Sequence, residues 1–526
     1  MKFVRYRMDS DGTLEMNFGW GQAGQAALRN YNIDLDTGKA SGGIAVFSAQ
    51  RTSGKGNTLG RIENFVNLAL YAGFGHGLNG VDPLVLDLDG DGYQLTTEAN
   101  SQVWFDYNRN GFAQHTGWVG GADGFLVRDV NGNGRIDDLS EMFGNATKSG
   151  FDMLAGFDTN HDGSITAADA VYATLKVWQD KNQNGVTDAG ELRSLADLGI
   201  VAIGLASSTP ASRTTIGGNQ IAREGNFTLA SGVTHKIADV VFDASATNTR
   251  YLGDTTVSAA AGALPLTGFG TIKDLRVAMT QNATLRDQVS AFVANSGVDL
   301  PGLKRGAESI VYAWAGVASV AATAIGGNGF DARKLAFLEM YSGASLMPRN
   351  SDGTLNLDNL GQMEALWADT ITRLTLRLAV QGPKAAAFAE ITYRPDLDLL
   401  VANGPTALAD ILHRIVAALP ASDHSGAVAQ WTSWAPLLGA LTDSMVRSDA
   451  MTVRVDFLFQ QLLRASDGVI TPLSIAELAA GLGISNLQLG TSGADTLSRV
   501  GGDTAVYYGL GGDDIFNGGG GQDVYV

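Results

Sequence analysis

The chain has 526 residues, 17% of them charged, with a net charge of −18, 67 glycines and no cysteine. That length exceeds a single core and implies several domains. The acidic balance argues against nucleic acid as a partner and against an anionic membrane surface, and the lack of thiols excludes disulfides, thiol catalysis and cysteine-based zinc.

In chain order, residues 1–80 read as short strands and turns with one amphipathic helix at RIENFVNLALYAGF, followed by a glycine linker, GFGHGLNG (73–80). No apolar stretch follows the basic residues of the opening MKFVRYRMDSDGTLEM, so no secretory leader is expected there. RTSGKGNT (51–58) lacks the first glycine and the hydroxyl residue of a phosphate loop.

Residues 81–199 hold 16 Asp and 3 Glu against 3 Lys and 4 Arg. Most of the net charge therefore sits in under a quarter of the length, and its spacing is regular. A twelve-residue calcium loop supplies oxygens from positions 1, 3, 5, 7, 9 and 12, with glycine at 6 for the turn. DKNQNGVTDAGE (180–191) fits through Asp180, Asn182, Asn184, Asp188 and Glu191, and DTNHDGSITAAD (158–169) through Asp158, Asn160, Asp162 and Asp169. The stretch between them, AADAVYATLKVWQ, is expected to be the helix that leaves one loop and enters the next. DVNGNGRIDDLSE (129–141) offers Asp129, Asn131, Asn133 and Asp137, with Glu141 one residue late. DLDGDGYQLTTE (87–98) offers Asp87, Asp89, Asp91 and Glu98, with VLDLDG as a strand entering the loop. A fifth half-match, Asp106-Asn108-Asn110-Gly111, has no closing carboxylate. Single strings of this kind are also ordinary turns, but four in about 105 residues point to Ca²⁺ as the cofactor. Mutual repulsion among these carboxylates makes metal binding a source of folding energy.

Residues 200–245 alternate apolar and polar in short runs and read as strands. From 257 to 480 the period becomes helical, as in MEALWADTITRLTLRLAVQ and VRVDFLFQQLLRAS, giving a mostly helical domain. The long uncharged stretch at 309–330 has too few apolar residues to span a bilayer, so no membrane span is expected. At the C-terminus GLGGDDIFN and GGGGQDVYV are contiguous nine-residue units with an aspartate at position 6. Such units suggest a parallel β-roll fragment over 490–526, with Asp495, Asp514 and Asp523 as its calcium ligands.

The chain's single Asp-Pro bond, Asp82–Pro83, stands between the glycine linker and the first loop. An aspartate carboxyl can attack its own carbonyl carbon to close a five-membered anhydride. A proline nitrogen, in a tertiary amide that twists more readily, is the easier leaving group. The anhydride is then open to water, which gives cleavage, or to a lysine ε-amine, which gives an isopeptide crosslink. His115 and His76 are the weak candidates for the proton donor.

Residues 82–245 resemble the self-processing module of iron-regulated RTX proteins through DPLVLDLDGDG, WFDYNRNGFAQHTGWV, DGFLVRDVNGNGRIDDLSEMFGN, FDTNHDGSITAADAVYATLKVWQDKNQNG and IADVVF. The resemblance implies calcium-triggered cleavage with Asp82 as nucleophile and Pro83 as the new N-terminus, in a protein exported by type I secretion to the cell surface or medium. The expected fold class is multidomain α+β, with an EF-hand-like calcium-loop module over 81–245 between the N-terminal region (1–80) and the helical domain (257–480). The competing reading is a non-catalytic calcium-binding adhesin or surface scaffold in which Asp82–Pro83 stays intact.

Overall fold

The computed structural model describes four N-terminal strands and then residues 82–525 with short interruptions, the longest at 348–354, 445–449 and 467–471. The helix expected at RIENFVNLALYAGF, RTSGKGNT, the glycine linker and His76 lie outside the described residues. Strands β1 (Phe3–Met8), β2 (Leu14–Gly19), β3 (Asn30–Ile33) and β4 (Ala40–Ser41) pair in chain order as an antiparallel sheet.

The acidic region folds around strands. They are β5 (Leu84–Leu86), β6 (Leu95–Thr96), β7 (Trp104–Phe105), β8 (Phe112–Thr116), β9 (Trp118–Val119), β10 (Gly124–Val127), β11 (Ser164–Thr166), β12 (Lys176–Trp178) and β13 (Leu192–Ser194). Next come β14 (Ile200–Gly204), β15 (Thr214–Ile216), β16 (Asn219–Leu229), β17 (Thr234–Val241) and β18 (Ala244–Tyr251). Nine of them make one antiparallel sheet in the order β11-β14-β16-β17-β5-β10-β12-β13, with β15 on the edge of β16. The strand expected at VLDLDG is β5, and it lies at the centre, between β17 and β10.

Side chains alternate across this sheet with period two. Leu84, Leu86, Leu126, Val177 and Ile237 enter one core with Phe151 and Phe227. Val85, Phe125, Val127, Trp178, Ala238 and Val240 enter the other with Trp118 and Phe242. Both faces of the central strands are covered, which is why these strands read as unbroken apolar runs. Each fully buried Leu, Val or Phe contributes about 1.5–3 kcal/mol. Asp239 on β17 is the exception, a carboxylate with no solvent exposure within the buried run from Ile237 to Val240.

The short helix α1 (Gly150–Ala155) covers the Leu84 face and is capped by Ser149, whose hydroxyl accepts from the Asp152 amide. AADAVYATLKVWQ contains no α-helix; it makes one 3-10 turn at Tyr172–Thr174 and then β12. Val177 and Trp178 are fully buried on opposite faces of the sheet, and this two-sided burial overrides the helical propensity of the alanines.

Beyond residue 257 come helices such as Leu300–Trp314, Leu360–Gln381 and His424–Ser444. They are interleaved with two hairpins, β19 (Ala324–Ile325) with β20 (Phe330–Asp331) and β21 (Ile391–Arg394) with β22 (Leu399–Ala402). A buried ion pair, Arg377 Nε to Asp398 Oδ1 at 2.8 Å, joins the longest helix to the second hairpin, and the Tyr393 hydroxyl donates to the same carboxylate. The C-terminal strands are β23 (Leu487–Leu489), β24 (Thr496–Ser498), β25 (Val506–Tyr508), β26 (Ile515–Asn517) and β27 (Val524–Tyr525). They form two small parallel sheets, β23-β25-β27 and β24-β26.

This architecture overturns the expected fold class. The protein is β-rich around a curled antiparallel sheet, its middle is not mostly helical, and its last strands form no developed β-roll. The loops are flanked by strands, 3-10 turns or, before Asp158, the six-residue α1, not by the paired helices of an EF-hand. Helical periodicity marks a helix where it occurs but is silent about the strands and turns between helices. The C-terminal strands, two or three residues each, are too short for more than local pairing.

Candidate functional site

The five acidic loops share one backbone conformation. Position 4 (Gly90, Arg109, Gly132, His161, Gln183) and position 6 (Gly92, Gly111, Gly134, Gly163, Gly185) are left-handed in every loop. The first aspartate of each folds the loop around itself. Asp180 accepts from the amides of Asn184 and Gly185, Asp158 from Asp162 and Gly163, Asp129 from Gly132 and Gly134, and Asp106 from Asn110 and Gly111. Asp87 does the same with Gly90 and Gly92. The half-match at Asp106 therefore has the loop geometry, although among the described residues no carboxylate closes it.

The closing carboxylates are recognised by which amides they bridge. Glu191 accepts from positions 2 and 9 of its loop, Lys181 and Asp188, at 3.0 and 2.9 Å. Asp169 does so with Thr159 and Thr166, and Glu141, despite its late position, with Val130 and Asp137. Glu98 does not close the first loop. A 3-10 turn capped by Thr97 swings it away, and its carboxylate lies 2.5 Å from His115 Nδ1. The second His115 nitrogen contacts the Ser101 carbonyl, so this histidine is committed to Glu98 and Ser101.

The first loop is closed from outside by Asp123, which precedes β10 and is fully buried. It accepts from Leu88 at position 2 and from Gln94 at position 8. Ligand oxygens of Asp87, Asp89 and Asp123 lie within 4.8 Å of one another. Burial pushes the Asp123 carboxyl up to about 6 against the two amides that hold it down. Three converging acidic oxygens and a desolvated carboxylate suit a hard divalent cation bound through oxygen. In the sequence Asp123 is marked only by GGADG, a turn with an acid before an apolar strand.

Asp91, Asn131, Asn133, Asp137, Asn160, Asp162, Asn182, Asn184 and Asp188 stand in their loops as spaced, on the exposed sides. At the C-terminus Asp514 accepts from the Asp495 amide and Asp523 from the Ala505 amide, each bond joining successive parallel turns. Asp495 itself holds Thr491.

Asp82 lies where β5 begins. Register places Leu84 opposite Asp239 on β17, and the Val240 amide donates to the Pro83 carbonyl at 3.1 Å. Period-two alternation puts Asp82, Leu84 and Asp239 on one face, with Asp82 and Asp239 as a diagonal cross-strand pair. A Cβ on Gly150 would come within 2.5 Å of Asp239 Oδ1 and 2.6 Å of Leu84 Cγ, so the start of α1 sits directly on both. Gly144, at φ +125°, packs on the Asp82 peptide, where a Cβ would meet the carbonyl oxygen at 2.3 Å and Oδ1 at 2.9 Å.

Asp82 Oδ1 and both Asp239 carboxyl oxygens are buried without a hydrogen-bond partner. Arg223 stands opposite Asp239 on β16, yet its guanidinium turns to Ser149 and Asp152, each at 3.0 Å. Burial pushes the Asp82 carboxyl up to about 7, offset in part by its own amide and by Arg223. Burial, and then the Asp82 charge, push Asp239 up to about 8. The pair can thus hold one proton at neutral pH beside the only Asp-Pro bond.

Residues 84–243 match the family model of the SPM domain, which begins one residue after Pro83. This part of the chain is thereby placed with the self-processing modules. A 223-residue stretch, 40% of the chain, is 40% identical to the iron-regulated protein FrpA of Neisseria meningitidis serogroup C. The match covers 20% of FrpA, so the chain spans about a fifth of that relative's length. No helix among the described residues is long and apolar enough to cross a membrane.

Proposed function

We propose that this protein cleaves its own Asp82–Pro83 bond when calcium folds the acidic module, acting once in cis and not as a recycling protease. One observation carries the reading: the Asp82 carboxyl is desolvated at the start of the central strand, with the Pro83 carbonyl fixed to β17 and Gly144 packed against the bond to be broken. A carboxylate held next to its own carbonyl needs no second molecule to react, and proximity of this kind is worth up to ~7–11 kcal/mol of barrier.

Ionised Asp82 attacks its own carbonyl carbon, the C–N bond to Pro83 breaks, and the proline nitrogen leaves with a proton as a secondary amine. Water opens the resulting anhydride to a C-terminal aspartate, whereas a lysine ε-amine would convert it to an Asp–Lys isopeptide. Calcium would be held by Asp87, Asp89 and Asp123 in the first loop and by the closing residues Glu141, Asp169 and Glu191 with their loop partners. Bound there it supplies the charge neutralisation that lets these carboxylates crowd together. The similarity to FrpA favours an exported setting.

The test is a gel and a mass spectrum of the full chain before and after addition of calcium chloride. Release of a fragment ending at Asp82 is expected, with none from Asp82→Asn. A chain that stays whole for days in saturating calcium at neutral pH refutes the reading and leaves a metal-stabilised scaffold.

A further inference from the structure

Breaking the Asp82–Pro83 bond requires a proton for the departing nitrogen, and the reading above leaves its donor unassigned. His115 is bonded to Glu98 and Ser101 on another sheet. The groups facing the bond from the elements packed on it are Asp239 on β17, Arg223 on β16 and Asp152 on α1. Arg223 and Asp152 pair with each other, and a guanidinium does not give up its proton in this range. Asp239 is left, on the same face of the sheet as Asp82, buried, with neither oxygen hydrogen-bonded.

A buried carboxyl costs stability, and around Asp239 only the nearby Gly150 amide and the Arg223 charge act against that burial. The neighbouring amide of Val240 is already spent on Pro83. The start of α1 brings only backbone and the Ser149 hydroxyl, which is taken by Asp152 and Arg223.

We propose that Asp239 is the general acid of self-cleavage, giving its carboxyl proton to the Pro83 nitrogen as the Asp82 carboxylate closes on its carbonyl. The inference rests on the cleavage reading. The balance is complete within the chain: Asp82 forms the C–O bond, the C–N bond breaks, the nitrogen takes the Asp239 proton, and Asp239 becomes a carboxylate. Water that opens the anhydride releases protons to the solvent. The two carboxyls must differ in protonation for this, and their environments favour the required order: Asp82 is partly exposed and ionises more readily, whereas Asp239 is fully buried and is pushed further up by the Asp82 charge. Pairs of titratable groups whose environments push them apart in this way are the usual sign of an acid and its partner.

Single-turnover cleavage of the full chain, started with calcium chloride and followed from pH 5.5 to 9.5, tests the assignment. The wild-type rate is expected to rise as Asp82 ionises and fall above about pH 8 as Asp239 loses its proton. Asp239→Asn, a near-isosteric change, is expected to slow cleavage by roughly 100-fold or more and to abolish the alkaline fall in what remains. Asp239→Glu is expected to recover part of the rate together with that fall. An Asp239→Asn chain that cleaves at the wild-type rate overturns the assignment while leaving Asp82 cleavage intact. If the variant fails to fold by circular dichroism, the wild-type profile decides, and a rate that keeps rising to pH 9.5 overturns it. A wild-type chain that does not cleave removes both proposals.

Discussion

At Asp123, Glu98 and Asp239 small differences in placement change chemistry. Glu98 has the loop spacing and Asp123 has none, yet Asp123 bridges the amides at positions 2 and 8, one residue short of the usual pair, while Glu98 bonds a histidine. Asp123→Asn is therefore expected to weaken calcium binding at the first loop by roughly 10–100-fold, whereas Glu98→Gln should leave it within about 2-fold, as read by calorimetric titration. Asp239 allows a second expectation, in an Asp82→Asn background that cannot be cut. Burial raises its folded pKa above the unfolded value even without the Asp82 charge, so from pH 4 to a bound below about 8 the folded state holds a proton that the unfolded chain has released. That contribution to stability is fully present below pH 4 and is lost as pH rises through that window. Adding Asp239→Asn should flatten the pH dependence of the unfolding free energy by up to ~1.4 kcal/mol per pH unit in that window, measured by urea denaturation.

Strand β5 carries the scissile bond at one end and the first loop at the other, and it is the most central element of the module. Its three residues are fully buried on both faces of the sheet. Hydrogen bonds to β17 and β10 hold it from both sides, so ordering of the loop at 87–92 and of the bond at 82–83 are coupled through a rigid piece of about 10 Å. Leu86→Ala should cost ~2–5 kcal/mol and slow cleavage although Leu86 lies at the loop end of the strand, away from the scissile bond. Unchanged thermal stability would show that the strand is not the link. The single 3-10 turn at Tyr172–Thr174 makes a related point. Where a segment must bury residues on two faces at once, the sheet overrides the helix that its alanines favour.

Taken whole, the molecule keeps its apolar cores apart. The two cores of the acidic module share no residues with the large core of the helices, which also takes in Val506 and Tyr508 of the C-terminal strands. Chelation is therefore expected to lower the melting temperature of one calorimetric transition, that of the module, and to leave a second within about 2 °C. A single transition shifting as a unit would show that the cores are coupled. Much of this was legible beforehand. The acidic loops repeat at fixed spacing, the Asp-Pro bond is unique, VLDLDG reads as a strand entering its loop, and the runs after residue 200 alternate apolar and polar. These are local signals, because a turn, a reactive dipeptide and a strand are each written in adjacent residues. Where the chain returns to itself had to come from the tertiary structure: that Asp123 closes a loop from about 30 residues away, that Asp239 stands beside Asp82 across 157 residues of chain, and that strands replace the expected inter-loop helix. Such pairings depend on strand order and two-sided burial, which no short window of sequence contains.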